Sequence, residues 1–329
     1  MKSLVTGATG FLGSAVTRCL LSAGHNVRVL ARPNSNRSNL KDLPIEVVEG
    51  DLLDHESLKH AVKDCDNLFH VAADYRLWVP NPKRMYDINV NGTRALILAA
   101  ADAGLKRIVY TSSVATLGIH QDGTSATEET PSSIDTMTGV YKRTKFLAEQ
   151  VVKQLTDEHQ LPVTIVNPST PIGPCDIRPT PTGRIVVDTL QDRMPAYVDT
   201  GLNVAHVDDI ARGHLLASEH GKPGERYILG GENMTLLQIL QTIDHINGKQ
   251  KKRISLPVNL MLPIAWTMEK IATLTEKEPR ATLDSVRMAK KIMYFSSEKA
   301  KRELGYQYRP ATEALNDAVT WFRENNYCN

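Results

Sequence analysis

The chain has no close pair of cysteines. Its four, Cys19, Cys65, Cys175 and Cys328, lie far apart with no C-x-x-C spacing. In 329 residues that pattern excludes a disulfide framework and points to reduced thiols in a cytoplasmic protein. The chain has no dominant charge either: 39 lysines and arginines face 37 acids, leaving +2 overall. Nothing in that balance calls for nucleic acid or a membrane surface as partner. The ten histidines never fall at ligand spacing with cysteines or acid pairs, so no metal site is expected. No apolar run is long enough for a transmembrane segment; the most apolar stretch, Leu256–Trp266, is short and holds two prolines. A secretory leader is not expected, because a strand and a glycine turn already occupy Ser3–Gly7. Repeats, low-complexity tracts and heptads are missing as well.

What is present is alternation. Short apolar runs and helical patterns take turns through the first half, the signature of βαβ units and a parallel sheet. Strands are expected at Ser3–Thr6, Asn26–Ala31, Ile45–Glu49, Asn67–Ala72, Arg107–Thr111 and Pro162–Val166. In the first helix Leu12, Ala15, Val16, Cys19 and Leu20 recur at helical spacing, and Gly24 follows as a stop. Five prolines and two glycines between Asn167 and Gly183 then break any regular element. A division into residues 1–170 and 171–329 is placed there. The second region mixes helices at Leu236–Asn247 and Ile264–Leu274 with short strands such as Arg226–Leu229. Ser285–Leu304 reads as a polar helix pair and Glu313–Asn325 as a closing helix.

Between the first strand and helix stands "VTGATGFLG", with Gly7, Gly10 and Gly13 spaced G-x-x-G-x-x-G and with Thr9, Phe11 and Leu12 in the same turn. Glycine is needed where backbone N–H groups approach a pyrophosphate and where a helix must pack tightly on a strand. The helix N-terminus then turns its partial positive charge toward the phosphates. Turns use glycine everywhere, so it is the position at a first strand–helix junction that indicates dinucleotide binding.

The end of the second strand bears on which dinucleotide. An acid there would hydrogen-bond a ribose 2′-hydroxyl and repel a 2′-phosphate. This chain has Ala31, then Arg32, with Arg37 nearby. A cation can pair with a phosphate, so the reading favours NADP(H), with NAD(H) as the alternative. A solvated surface arginine is the plain explanation of the same residue. Asp51 and Leu52, closing the third strand, could hold an adenine by an acceptor and an apolar contact. Asp51 could equally be the N-cap of the helix that follows.

Two fragments carry reaction chemistry: "VYTSSVATLG" at the end of the fifth strand and "GVYKRTKFLAE" on a later helix. Tyr141 and Lys145 are four apart and share a helix face. A phenol with an ordinary pKa of about 10 is a poor base at neutral pH, and a nearby ammonium favours its phenolate. Ser113 supplies a hydroxyl that can hold a substrate oxygen. Tyr-x-x-x-Lys alone is usually a solvated helix face; its order after a glycine turn and a serine pair at a strand end gives it weight.

These motifs, together with "NVNGT" (Asn89–Thr93), "NPS" and "HVDD", resemble those of the extended short-chain dehydrogenase/reductases, the NAD-dependent epimerase/dehydratase family. The resemblance spans essentially the whole chain. Its "NPSTPIGPCDIRPTPTGRIVVD", "MPAYVDTGLNVAHVDD" and "RYILGGENMTL" segments are most similar to the branch of hopanoid-associated sugar epimerases and dihydroflavonol 4-reductases. The resemblance implies an α/β Rossmann fold, a doubly wound parallel sheet, with a smaller C-terminal α/β substrate domain whose chain crosses back. It implies a Ser113–Tyr141–Lys145 site, with Lys145 also on the nicotinamide ribose. It further assigns Ala72, Ala73, Asn89, Pro168 and Ser169 to the cofactor. A homodimer through helices near Tyr86–Ala103 and Gly139–Leu155 is the family habit.

On the substrate side, "ADYRLW" places Asp74, Tyr75, Arg76 and Trp78 in a loop near the reacting end, and Asn167, Ser169 and Thr170 face it after strand six. Arg178 is either an anion contact or an exposed loop charge. His206 reads as a structural tie between the domains, Trp266 and Trp321 as core or cap residues, and Leu256–Trp266 as either a core helix of the small domain, which is favoured, or a cover for an apolar substrate. Two reactions of a small molecule stay open: epimerisation of a sugar with retained cofactor, or net NADPH-dependent reduction of a ketone or aldehyde. A cofactor-sensing protein without chemistry is the third possibility, and the intact Tyr141/Lys145 pair argues against it.

Overall fold

The structure, a computed structural model, describes residues 1–76, 78–79, 81–275, 279 and 282–328, and the side chains of all these except 273 and 274. Six strands arise in the first half: β1 (Lys2–Thr6), β2 (Asn26–Ala31), β3 (Glu46–Glu49), β4 (Asn67–His70), β5 (Arg107–Thr111) and β6 (Val163–Pro168). Six more follow: β7 (Thr170–Ile172), β8 (Ala196–Tyr197), β9 (Gly201–His206), β10 (Arg226–Leu229), β11 (Glu232–Thr235) and β12 (Ile254–Ser255). The principal sheet is seven-stranded and parallel, in the order β10-β6-β5-β4-β1-β2-β3. Two small sheets, β11-β9-β7 and β12-β8, lie beyond it. This is the doubly wound Rossmann-like α/β fold expected from the alternation.

The helices in chain order are α1 (Phe11–Ser22), α2 (His55–Val62), α3 (Pro82–Tyr86), α4 (Thr93–Asp102) and α5 (Gly139–His159). Then come α6 (Pro181–Leu190), α7 (Val207–His220), α8 (Leu236–Ile246) and α9 (Val258–Thr275). The chain closes with α10 (Leu283–Met288), α11 (Glu298–Leu304) and α12 (Ala311–Glu324). Strand residues alternate between two buried layers, as a period of two requires. Val5, Val29, Phe69 and Val109 face a core with α1, α7 and α11, while Leu4, Leu30, Leu68 and Ile108 face α2, α4 and α5. A third core joins α6, α8 and α12 to β7 and β9.

Strand order reverses between β1 and β4, and that switch point is where open α/β sheets hold ligands. Gly7 leaves β1 with φ +74°, a left-handed conformation that favours glycine. A Cβ on Gly7 would lie 2.7 Å from the Ala72 backbone nitrogen just past β4, and one on Gly13 would lie 2.1 Å from the Gly7 carbonyl oxygen. Backbone thus packs on backbone at this spot. α1 begins with Gly10 as N-cap and no side-chain cap, so its first N–H groups stay open toward the turn.

Arg226–Leu229 is a strand as expected, and it crosses back to run parallel to β6 at the edge of the principal sheet, where its apolar residues are buried. Two expectations are corrected. The N-cap of α2 is Asp54, whose carboxylate accepts from the Glu56 and Ser57 N–H groups. Asp51 instead accepts from the Leu53 N–H in a tight turn. Leu256–Trp266 is no core helix. From Val258 onward it belongs to α9, where Leu260 and Trp266 are more than half exposed, while Trp321 packs with Phe322 and Tyr327. His206 caps α7 by accepting from Asp208 N–H and reaches Asp317 of α12 at 3.2 Å, a structural contact within residues 171–329.

The glycine packing makes a contrast that can be measured. Gly13→Ala should cost about 3 kcal/mol or more, since backbone rather than a flexible side chain must yield. Gly24 has φ +80° and open space around it, so Gly24→Ala should cost only about 1–2 kcal/mol of left-handed strain. Denaturant unfolding of both variants checks this; equal losses would refute the close-packing account.

Candidate active site

α5 brings three titratable groups to one face: Tyr141, Lys145 and Glu149, each a turn apart. The start of α5 is set by Gly139 at φ +84°. Opposite lies the end of β5, where Ser113 leaves the strand and its hydroxyl caps a short helical turn by accepting from Ala115 N–H at 3.1 Å. Burial pushes the Tyr141 phenol above its ordinary pKa; the Ser113 hydroxyl pulls the other way, and Tyr75 adds to the rise.

Lys145 is almost fully buried. Its ammonium donates to the Thr111 carbonyl at 2.7 Å and to the Tyr110 hydroxyl at 3.3 Å. Burial brings its pKa down to about 8, against an upward pull from Glu149. The sequence argument had this ammonium favouring a Tyr141 phenolate. In this structure the ammonium rests on the end of β5, one helix turn from Tyr141.

Glu149, missed in the sequence, is the best-connected group of the site. Only 1% exposed, its carboxylate accepts from Ser112 Oγ at 2.6 Å, Thr116 Oγ1 at 2.8 Å and Asn167 Nδ2 at 3.0 Å. It also pairs with Arg226 of β10 at 3.1 Å and Lys153 at 3.2 Å. Burial would raise its pKa, but Lys153, the hydroxyls and Arg226 together hold it below the usual carboxylate value. One signal for it existed: it stands four residues past Lys145, as Lys145 stands four past Tyr141.

The cofactor candidates gather at the switch point. Gly7, Thr9, Gly10, Phe11, Leu12 and Gly13 form the turn into α1. Leu52 is buried with its Cβ against Gly92, and Asp51 lies one residue before it. Ala72 and Ala73 follow β4, half-buried. Asn89 sits in a wide π-helical turn, residues 87–92, between α3 and α4. Its amide brackets Asp74, accepting from the Asp74 N–H at 2.7 Å and donating to its carbonyl at 2.9 Å, and also donates to Thr144 Oγ1 at 3.0 Å. Arg32 is exposed and has no ion-pair partner among the described residues. Arg37 pairs with Glu49. Pro168 and Ser169 end β6, both buried, and Asn167 donates to the Ser113 carbonyl at 3.0 Å.

Two buried polar atoms here lack a partner: Asn167 Oδ1 and Ser169 Oγ. Buried polar groups are ordinarily hydrogen-bonded. These orphans, with the side-chain-free cradle at Gly7 and Gly13, fit a bound dinucleotide.

On the substrate side Tyr75 is 44% exposed at its loop; partial desolvation and the Asp176 carboxylate push its phenol up, against Arg178 and Arg184. Arg178 is exposed and Trp78 half-buried. Asp176, a further residue the sequence did not reveal, is buried and pushed up to about 6 by desolvation, although Thr180 donates to it twice at 2.8 Å. A polar groove of about 830 Å³ lies elsewhere, beside β11 and α8. It is lined by residues such as Glu232, Gln238 and His245 and holds none of the predicted site residues. Among the described residues no cluster of His, Cys, Asp or Glu could hold a metal.

A doubly wound parallel sheet with a glycine cradle at its switch point is an architecture that holds dinucleotides. Residues 3–230 match the NAD dependent epimerase/dehydratase family, and the chain belongs to that family, whose members are enzymes that bind a nicotinamide cofactor. It is 44% identical over 327 residues to a Synechocystis sp. protein provisionally named a dihydroflavonol 4-reductase, covering 98% of this chain and 95% of that one. It is 36% identical to sterol demethylase protein B of Methylococcus capsulatus, covering 98% and 99%. The solved structure of gox2253 superposes with a TM-score of 0.90 at 51% identity, over 99% of both chains.

Glu149→Gln should leave Arg226 without its buried partner and cost roughly 3–5 kcal/mol of stability. It should also lower the Lys145 pKa below about 8, because the carboxylate supports the ammonium. The pH profile of Lys145 acylation, read by mass spectrometry, checks the second effect. A profile that stays put would remove Glu149 from any role beyond structure.

Proposed function

We propose that this chain reduces a ketone to a secondary alcohol with NADPH, Tyr141 acting as the acid/base. The observation that carries the reading is the placement of Tyr141: its phenol meets the Ser113 hydroxyl and stands one helix turn from the buried Lys145 ammonium. Bound nicotinamide would supply the hydride. Ser113 holds the carbonyl oxygen, and Tyr141 gives that oxygen its proton as negative charge develops on it. Lys145, protonated below about pH 8, then stabilises the phenolate left behind and takes part in holding the ribose. In reverse the same groups oxidise an alcohol.

Asn167 and Ser169 offer the two unpaired buried atoms to the cofactor, and Gly7–Gly13 cradle its pyrophosphate at the open end of α1. Arg32, exposed just past β2 and without an ion-pair partner among the described residues, would pair with a 2′-phosphate. Arg37 is the weaker candidate because Glu49 already neutralises it. Tyr75, Trp78 and Arg178 contribute to the substrate side. Residues 1–170 act as the cofactor domain and 171–329 as the substrate domain, with α7 and β10 crossing back. Two chains pair through the long helices at 82–102 and 139–159.

The names of the two relatives, a dihydroflavonol reductase and a sterol demethylase component, favour a polycyclic ketone over a sugar. The resemblance to hopanoid-associated sugar epimerases supports a second reading, redox-neutral inversion of a sugar carbinol. An epimerase would hold its cofactor through purification, as NAD; a reductase exchanges it.

Tyr141→Phe should lower turnover by roughly 10²–10⁴-fold while leaving cofactor affinity nearly intact. Turnover near wild type would sink the acid/base assignment. For Arg32→Ala, NADPH affinity should fall about tenfold or more and NADH affinity hardly at all, as read by fluorescence titration. An equal change for both would mean that Arg32 does not read a phosphate.

A further inference from the structure

The near-neutral total of +2 hides a local excess. Residues 249–291 hold ten lysines and arginines against four acids, a net of +6. Lys249 and Lys251 pair with Asp192, Arg253 is buried against Asp244, and Arg287 pairs with Asp284. Lys252, Lys270 and Lys290 remain exposed.

Large apolar side chains stand among these cations. Ile254 is 69% exposed, and α9 presents Leu260 at 61%, Ile264 at 46%, Trp266 at 55% and Ile271 at 55% to solvent. Leu260, Ile264 and Ile271 follow one another at spacings of four and seven, so they form one stripe, while Ala265 and Ala272 are buried on the other side. The Lys270 ammonium lies 5.7 Å from the Trp266 ring centroid, at the edge of the stripe. The helix therefore leaves four large apolar groups in solvent while Met261, Leu262 and Met268 are half-buried and Ala265 and Ala272 are buried, a wider open apolar face than a helix fully packed on a core would leave. An outward apolar stripe with an aromatic and cations beside it suits a helix lying in the plane of an anionic bilayer surface. Among the described residues no helix is long and apolar enough to cross a membrane.

The place of α9 in the fold gives this surface a use. α9 packs on α10, with Leu283 N–H donating to Glu269 Oε1 at 2.8 Å. Asp284 of α10 sits against Gly139, where a Cβ would meet its carboxylate at 2.7 Å. Gly139 opens α5 two residues before Tyr141. Thus α10 borders the reacting end of the site and α9 borders α10.

We propose that α9 and Ile254 form a docking face for anionic phospholipid headgroups, holding the substrate side of the site against a bilayer so that an apolar ketone passes from lipid to Tyr141. The delivery step rests on the hydride-transfer reading above; the docking does not.

The test is co-sedimentation of the full chain with vesicles of phosphatidylcholine, with and without phosphatidylglycerol. Binding should appear with phosphatidylglycerol, weaken as salt rises, and fall about tenfold or more in a Leu260→Gln, Ile264→Gln, Trp266→Gln variant. Those side chains are exposed, so the unfolding midpoint should hold. A Lys252→Glu, Lys290→Glu variant should lose the preference for phosphatidylglycerol with its apolar stripe intact. Tyr141→Phe should bind vesicles as wild type does, which separates docking from catalysis. Failure of the wild type to sediment with phosphatidylglycerol vesicles overturns the proposal. So does light scattering that shows a dimer falling to monomer in the triple variant with no vesicle binding, which would make the face a contact between copies of the chain.

Discussion

The architecture depends on backbone approaching backbone at the sheet's switch point. Gly7 touches the chain just past β4, and Gly13 rests on the Gly7 carbonyl. No side chain can intervene, so the ladder hydrogen bonds of β1 and β4 and main-chain contact at Gly7 and Gly13 together fix how closely α1 sits on the sheet. That contact leaves the first N–H groups of α1 facing an uncluttered turn. It also sets where β4 ends and hence where the loop of Asp74 and Tyr75 begins. Asn89 then holds this loop by both the N–H and the carbonyl of Asp74.

A second constraint acts across the other half of the sheet. The Glu149 carboxylate ties α5, the end of β5, β6 and β10 into one buried polar cluster. Arg226 extends it by donating to the Glu128 carbonyl, and the Glu128 carboxylate in turn accepts from Ile228 N–H at 2.7 Å. A buried charge of this kind is tolerated because every oxygen is hydrogen-bonded or ion-paired. The group that satisfies it, Arg226, arrives from far along the chain. Ser113 and Lys145 are positioned on either side of this cluster.

Much of this was legible in the sequence, and the reasons are physical. Periodicity of two and of 3.6 is imposed by local backbone geometry, so β2 and β5 and most helices are where the apolar pattern puts them. The glycine turn, Tyr141, Lys145 and Ser113 were recognisable because their spacing follows from one turn and one helix face. What escaped depends on distant chain. Glu149 looks like any helical acid until Ser112, Asn167 and Arg226 surround it. Asp176 gains its raised pKa only from the fold that buries it. Arg226–Leu229 carries no local mark of which sheet it joins, and Leu256–Trp266 no mark of which side faces water. Apolar content alone reads as core; only packing reveals a face left open.

The late arrival of β10 has a consequence for how the chain is made. β6 is buried along its whole length, yet its outer neighbour is synthesised some sixty residues afterwards. Until then a nascent chain on the ribosome exposes an apolar strand edge with unpaired amides, the sort of edge that recruits other strands. During the same interval Glu149 has no Arg226. The β6 edge cannot be completed before residue 229 emerges, so residues 1–170 alone would leave that strand edge unpaired and Glu149 without Arg226.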